Sequence, residues 1–376
     1  MRLFWVIVLF AFFSTRAPAL TEDEIQGYLN DAIEAGGGEV VIPPGVHLLK
    51  KGLVIRDAKK VRLIGLEADR CVLKLPPIAY ARVKGETPKG ADHLITAGMQ
   101  NVVPRMRLRI EVPGERASPQ LAFVDSIEGD TIKISAPLPF AIPAGTLLRD
   151  DNAPNAIEIT GACENITLEK LCIDGGRVAT DPAFHTRSLA CGVMVKGAYH
   201  PDKDPKGIRI QNIKVLRCIM QNHHGRGAAF YATVGGGLED CTLMDLSAAA
   251  VDLNAFSEKI TVRHNHMARC LVGVDLTNTR DCIITANEIR QCGSGFSLRR
   301  ICNLSTWNEG NQMLDNLIDQ TRGNAIQVGA RTARTLIEHN EIRNAGRNGI
   351  VISGENQTVE GNTFFGTAIQ DIVRDP

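Results

Sequence analysis

Aromatic side chains are scarce in this sequence: Trp, Tyr and Phe make up 5% of 376 residues, with two tryptophans and four tyrosines. A single large core leans on such rings, so their shortage, beside 35 glycines, favours thin repeated layers. A charge excess is missing too, since 42 Lys and Arg face 42 Asp and Glu. That balance excludes a nucleic-acid binder held by bulk charge, and 44% hydrophobic residues exclude a disordered tail. Ten cysteines are too few for a small disulfide scaffold. No CxxC or spaced Cys and His set suggests structural zinc. Beyond the first 19 residues no stretch is apolar and long enough to span a membrane.

Those first residues read as an export signal. Met1 and Arg2 precede the apolar run Leu3 to Phe13, and Ala17-Pro18-Ala19 supplies an Ala-x-Ala cleavage site. The run is too short, at about 1.5 Å per residue, to cross a hydrocarbon core of roughly 30 Å. Residues 1–19 are therefore expected to be removed from a secreted or periplasmic protein, leaving 40 basic against 42 acidic groups once Arg2 and Arg16 are lost. Next, Thr21-Glu22-Asp23-Glu24 has the form of a capping box, and Ile25, Tyr28, Leu29, Ala32 and Ile33 share one helical face. This predicts a cap helix within residues 20–38, ending at Gly36-Gly37-Gly38. Short apolar runs at Glu39 to Ile42, Val46 to Leu49, Leu53 to Ile55 and Val61 to Ile64 read as strands.

From Asn155 onward the sequence repeats. Ala156-Ile-Glu-Ile159, Gly192-Val-Met-Val195, Ala228-Ala-Phe-Tyr231, Ala250-Val-Asp-Leu253, Gly273-Val-Asp-Leu276, Gly295-Phe-Ser-Leu298, Ala325-Ile-Gln-Val328 and Gly349-Ile-Val-Ile352 each place a small residue before alternating apolar positions. A second marker, Cys218, Cys241, Asn265, Asn287, Asn316, Asn340 and Asn362, keeps the same beat. Three short strands per repeat with no helix predict an all-β parallel β-helix of roughly ten coils over residues 39–376. Equivalent residues then stack about 4.8 Å apart, so the asparagines should form an interior hydrogen-bonded ladder and the matched cysteines buried thiol stacks. The beat breaks from about 94 to 151, where Arg105 to Val112, Leu121 to Ile127 and Thr131 to Ile134, joined by Glu128-Gly129-Asp130, predict a small β insertion.

The capping helix, the segment Ala35-Gly-Gly-Gly-Glu-Val-Val-Ile-Pro-Pro-Gly-Val46 and the asparagine coils together resemble the right-handed β-helix superfamily of pectate lyases and polygalacturonases. The resemblance implies a right-handed parallel β-helix and a polysaccharide partner; it leaves the reaction open. The polygalacturonase series Asn-Thr-Asp, Asp-Asp, Gly-His-Gly, Arg-Ile-Lys is absent, and His223 and His224 precede Asp252 and Asp275 where that family places its histidine afterwards.

Alternation along the first strand of each coil sends one row outward: Glu158, Met194, Phe230, Asp252, Asp275, Ser297, Gln327 and Val351. A parallel row reads Thr160, Lys196, Ala232, Asn254, Thr277, Arg299, Gly329 and Ser353. Charge gathers between 191 and 300, the stretch that also carries loops at 176–190, 197–207 and 299–310, so a walled groove is expected there. Stacked Asp252 and Asp275 are unfavourable unless they share a proton, a cation or a base. They could act as acid and base or hold Ca²⁺. Lys196, Arg299, His223 and His224 are candidate bases, while Glu158, Arg226, Asn254, Arg300, Trp307 and Tyr199 are candidate substrate contacts.

These features predict a lyase or epimerase acting on an acidic polysaccharide. Two rivals are a glycoside hydrolase using Asp252 and Asp275, and a non-catalytic glycan-binding or surface β-helix. The sequence stops just after a partial strand at Ala368 to Asp371, so an uncapped last coil is expected to offer a sheet edge for homo-oligomerisation.

Overall fold

The computed structural model describes residues 18–112, 120–182, 189–299 and 308–374. They form two compact units, 1–75 with 155–376, and 76–154. Each is built from strands for the reason the sequence suggests: short alternating runs are too brief for helix and bury one side each.

In the larger unit the strands stack as three parallel ladders. One is a ten-stranded sheet beginning with Gly38–Ile42 and Val61–Gly65 and ending at Thr358–Glu360. Eighteen more strands make the other two ladders, ten in each because Thr242–Asn254 and His266–Thr277 run through both. The product is a parallel β-helix of three strands per coil. Inward side chains such as Ile159, Val195, Phe230, Leu253, Leu276 and Leu298 stack into one continuous core. The small residue before each strand is needed because the next coil passes close by. A Cβ on Gly227 would sit 2.7 Å from the carbonyl oxygen of Ala250.

The asparagine ladder lies inside. Asn265, Asn287, Asn316 and Asn340 are buried, and each side-chain Nδ2 donates to Oδ1 of the next asparagine at 2.9 Å, the series closing on Asn362. Backbone N–H groups of the same residues donate to those oxygens at 2.9–3.1 Å. The nine described cysteines are free and buried. At the other end of the unit, helix Glu22–Glu34 starts on the complete Thr21/Glu24 capping box and buries Ile25 and Leu29 in the same core.

The smaller unit is a closed barrel of strands Tyr80–Val83, His93–Gln100, Arg107–Glu111, Gln120–Glu128, Thr131–Ile134 and Leu147–Asp150. Its core includes Ala81, Leu94, Leu108, Ile110, Val124, Ile132 and Leu148. The barrel begins at residue 80, ahead of the 94 expected from sequence, because its first strand takes its partner from far along the chain, pairing antiparallel with Leu147–Asp150. Among the described residues no helix is long and apolar enough to cross a membrane.

Candidate active site

The ladder through Ile157–Thr160, Val193–Lys196, Ala228–Tyr231 and the C-terminal parts of Thr242–Asn254 and His266–Thr277 continues into Ser294–Arg299. Register fixes which side chains stand side by side on its outer face. The first row runs Glu158, Met194, Ala229, Asp252, Asp275, Ser297. The second runs Thr160, Lys196, Tyr231, Asn254, then Thr277 and Arg299. Phe230 and Ala232, expected in these rows, are displaced by one residue. Phe230 points into the core, since Gly227 and not Ala228 occupies the small position against Ala250. Tyr231 thereby enters the outer face. A reading that started the strand at Gly227 would have found it from the apolar spacing of Ala228 and Phe230.

Asp252 and Asp275 are direct neighbours in register, and each has its own cation. Asp252 is fully buried, with Arg226 Nε at 2.5 Å and the Tyr231 hydroxyl donating at 3.0 Å, both to Oδ2. Asn254 Nδ2 lies 3.4 Å from its Oδ1. Asp275 is paired with the guanidinium of Arg299, whose Nε lies 3.3 Å from Oδ1 and whose Nη2 contacts Oδ2. The two contacts are diagonal in opposite senses: Tyr231 reaches Asp252 from the preceding coil and Arg299 reaches Asp275 from the following one. Like-charge stacking is therefore balanced by neighbours. Burial pushes the Asp252 carboxyl above the ordinary range; Arg226 opposes this, Asp275 adds to it, and the Tyr231 bond and Arg299 pull back. Burial works against the charge of Arg226, but Asp252 outweighs it and pushes its proton affinity up.

The remaining expected residues divide. Lys196 is exposed beside Tyr231, and Arg299 is 58% exposed beyond Asn254. Glu158 lies three coils from Asp252, separated by buried Met194 and Ala229, and accepts from Asn155 Nδ2 at 3.1 Å. His223, expected as an acid or base, is instead sealed inside the coil. Its Nε2 donates to the Ile173 carbonyl at 3.1 Å, and desolvation lowers its pKa to about 4. His224 is also buried, 3.5 Å from Asp181. Tyr199 does not offer an open ring to a sugar. Arg209 lies 4.7 Å over it and Phe256 meets it edge-on at 6.2 Å, which pins the hairpin of Ala198–His200 and Asp204–Ile208 along the flank of the second row. Arg300 and Trp307 lie outside the described residues.

A calcium ion fits the aspartate pair poorly, since guanidinium groups already occupy oxygens that it would need and it requires six to eight oxygen ligands. Among the described residues the one set of three groups at metal-ligand spacing is Glu239, Asp240 and His264 elsewhere on the coil, where Glu239 already meets Arg263 at 2.7 Å.

The sequence family described as right handed beta helix region matches residues 191–364. No curated protein matches the chain. Among solved structures, the DFA-IIIase of Arthrobacter chlorophenolicus A6 in complex with DFA-III is 11% identical, covers 91% of this chain and 71% of its own, and superposes with a TM-score of 0.54. The same enzyme with GF2 gives 11% identity, 93% and 76% coverage and a TM-score of 0.55. At that identity the likeness is one of fold, and it agrees with the ladders: the chain is a right-handed parallel β-helix.

Proposed function

We propose that this right-handed β-helix is an exported enzyme acting on an acidic polysaccharide by removing a proton beside a uronate carboxylate, as a lyase or epimerase. The observation that carries the reading is the second outer row. From Lys196 to Arg299 is four coil steps, or ~19 Å at the usual strand spacing, with Tyr231 and Asn254 between. Two exposed cations that far apart suit carboxylates several sugars apart on one polymer, and a cation is what the enolate formed by proton removal requires. The export reading rests on the signal-like start at residues 1–19, of which 1–17 lie outside the described residues.

The hydrolase reading is less well supported. Its two carboxyl groups must both reach the scissile bond, whereas Asp252 is fully buried and Asp275 is paired with Arg299. A panel of polygalacturonate, polymannuronate, polyguluronate and polyglucuronate tests the proposal. Ultraviolet absorbance of an unsaturated product marks a lyase, and deuterium entering C5 from D₂O without chain cleavage marks an epimerase. New reducing ends without unsaturation mark a hydrolase, and binding without any turnover marks a glycan-binding protein.

A further inference from the structure

Neither aspartate can readily touch a sugar. Asp252 has no exposed surface, and its Oδ2 already receives both Arg226 and Tyr231. Asp275 is 9% exposed and held by Arg299. Tyr231 differs. It is half-buried, its ring packs on Cys191, Met194 and Ala229, and its hydroxyl ends on the buried carboxylate. Its neighbour in the same outer row is exposed Lys196. Tyr231 is thus the polar group that links the buried network to the face on which a polymer would lie.

On the reading that the chain acts on uronates, we infer that Tyr231 is the catalytic base and that Asp252 acts through it as a positioning residue and proton acceptor. The C5–H bond breaks and its electron pair moves into the adjacent carboxylate to give the enolate. The proton goes to the Tyr231 oxygen while the original Tyr231 proton passes to Asp252 Oδ2. Lys196 faces the enolate charge, and Arg226 fixes the accepting oxygen. The geometry fits a relay because the Tyr231 O–H already points at the acceptor at 3.0 Å. Burial favours the protonated form of that acceptor, so the proton has somewhere to go.

Three measurements decide this. With a polymer that the wild type turns over, Tyr231→Phe should keep its binding constant in calorimetry, leave KM nearly unchanged and lose kcat by about 10²–10⁴-fold, the usual worth of a positioned base. Asp252→Asn should move the pH profile of the remaining activity. In protein labelled with ¹³Cζ-tyrosine, four signals arise from four tyrosines, and the one missing in Tyr231→Phe should shift with pH in the wild type and stop doing so in Asp252→Asn. A Tyr231→Phe enzyme with kcat within threefold of wild type overturns the inference while leaving the uronate reading intact. A ¹³Cζ signal indifferent to Asp252→Asn overturns the relay. Failure of the wild type on every polymer overturns the uronate reading and this inference with it.

Discussion

Asp252→Asn should destabilise the β-helix, because the stacked aspartates are a balanced network and not a pair under strain. The substitution keeps shape but removes the charge facing Arg226 at 2.5 Å. Stranding a buried charge costs about 3–5 kcal/mol. Two effects reduce that here. Arg226 keeps 17% of its side chain in contact with solvent, and losing one like charge beside Asp275 returns roughly 0.2–1 kcal/mol. The expected net loss is about 2–3 kcal/mol. A double-mutant cycle isolates it: Asp252→Asn and Arg226→Met separately, then together, in urea unfolding followed by circular dichroism. The double variant should recover much of the loss, since replacing both members of a buried pair by uncharged groups is often close to neutral. An Asp252→Asn protein more stable than wild type, or a coupling under about 0.5 kcal/mol, refutes the balanced network.

Other expectations follow from the same packing. His223 is held at about 4 against an ordinary 6.5; a lowered folded value means that its contribution is complete above pH 6.5 and is lost as pH falls toward 4, about 3 kcal/mol in all. His223→Gln should flatten stability across that window, and an unchanged pH dependence contradicts it. Asn316→Ala removes a side chain that donates to Ile284, Leu314 and Asn340 and accepts from Asn287. With several buried partners orphaned at about 1–3 kcal/mol each, unfolding should come at clearly lower urea; a loss under 1 kcal/mol counts against the ladder. Phe365, Ile369 and Ile372 are exposed, so self-association at high concentration is expected in analytical ultracentrifugation, and a monomer throughout tells against it.

The coil repeat was legible because two independent markers, the small residue before the first strand and the asparagine, recur in step. Such periodicity survives loops because each coil must meet the next in register. The site was only partly legible. Asp252, Asp275, Lys196 and Arg299 follow from alternation within their own strands. Tyr231 was hidden by a one-residue ambiguity between Gly227 and Ala228, both small, which slips the whole strand to the opposite face. His223 looked available because a polar turn in sequence carries no sign of burial. Only the closeness of Ile173 from the preceding coil shows it to be sealed. The barrel's first strand was missed since antiparallel pairing across some 65 residues leaves no local trace.

On the proposed function, an acidic polymer is processed along the row from Lys196 to Arg299. The most direct test incubates wild-type protein with the four uronate polymers in D₂O and follows ultraviolet absorbance and C5 deuterium together. At least one polymer should give an unsaturated product or deuterium at C5, and that signal should be lost in a Lys196→Ala, Arg299→Ala double variant that retains the β-strand spectrum. New reducing ends with neither signal, or turnover unaffected by removing both cations, would contradict it.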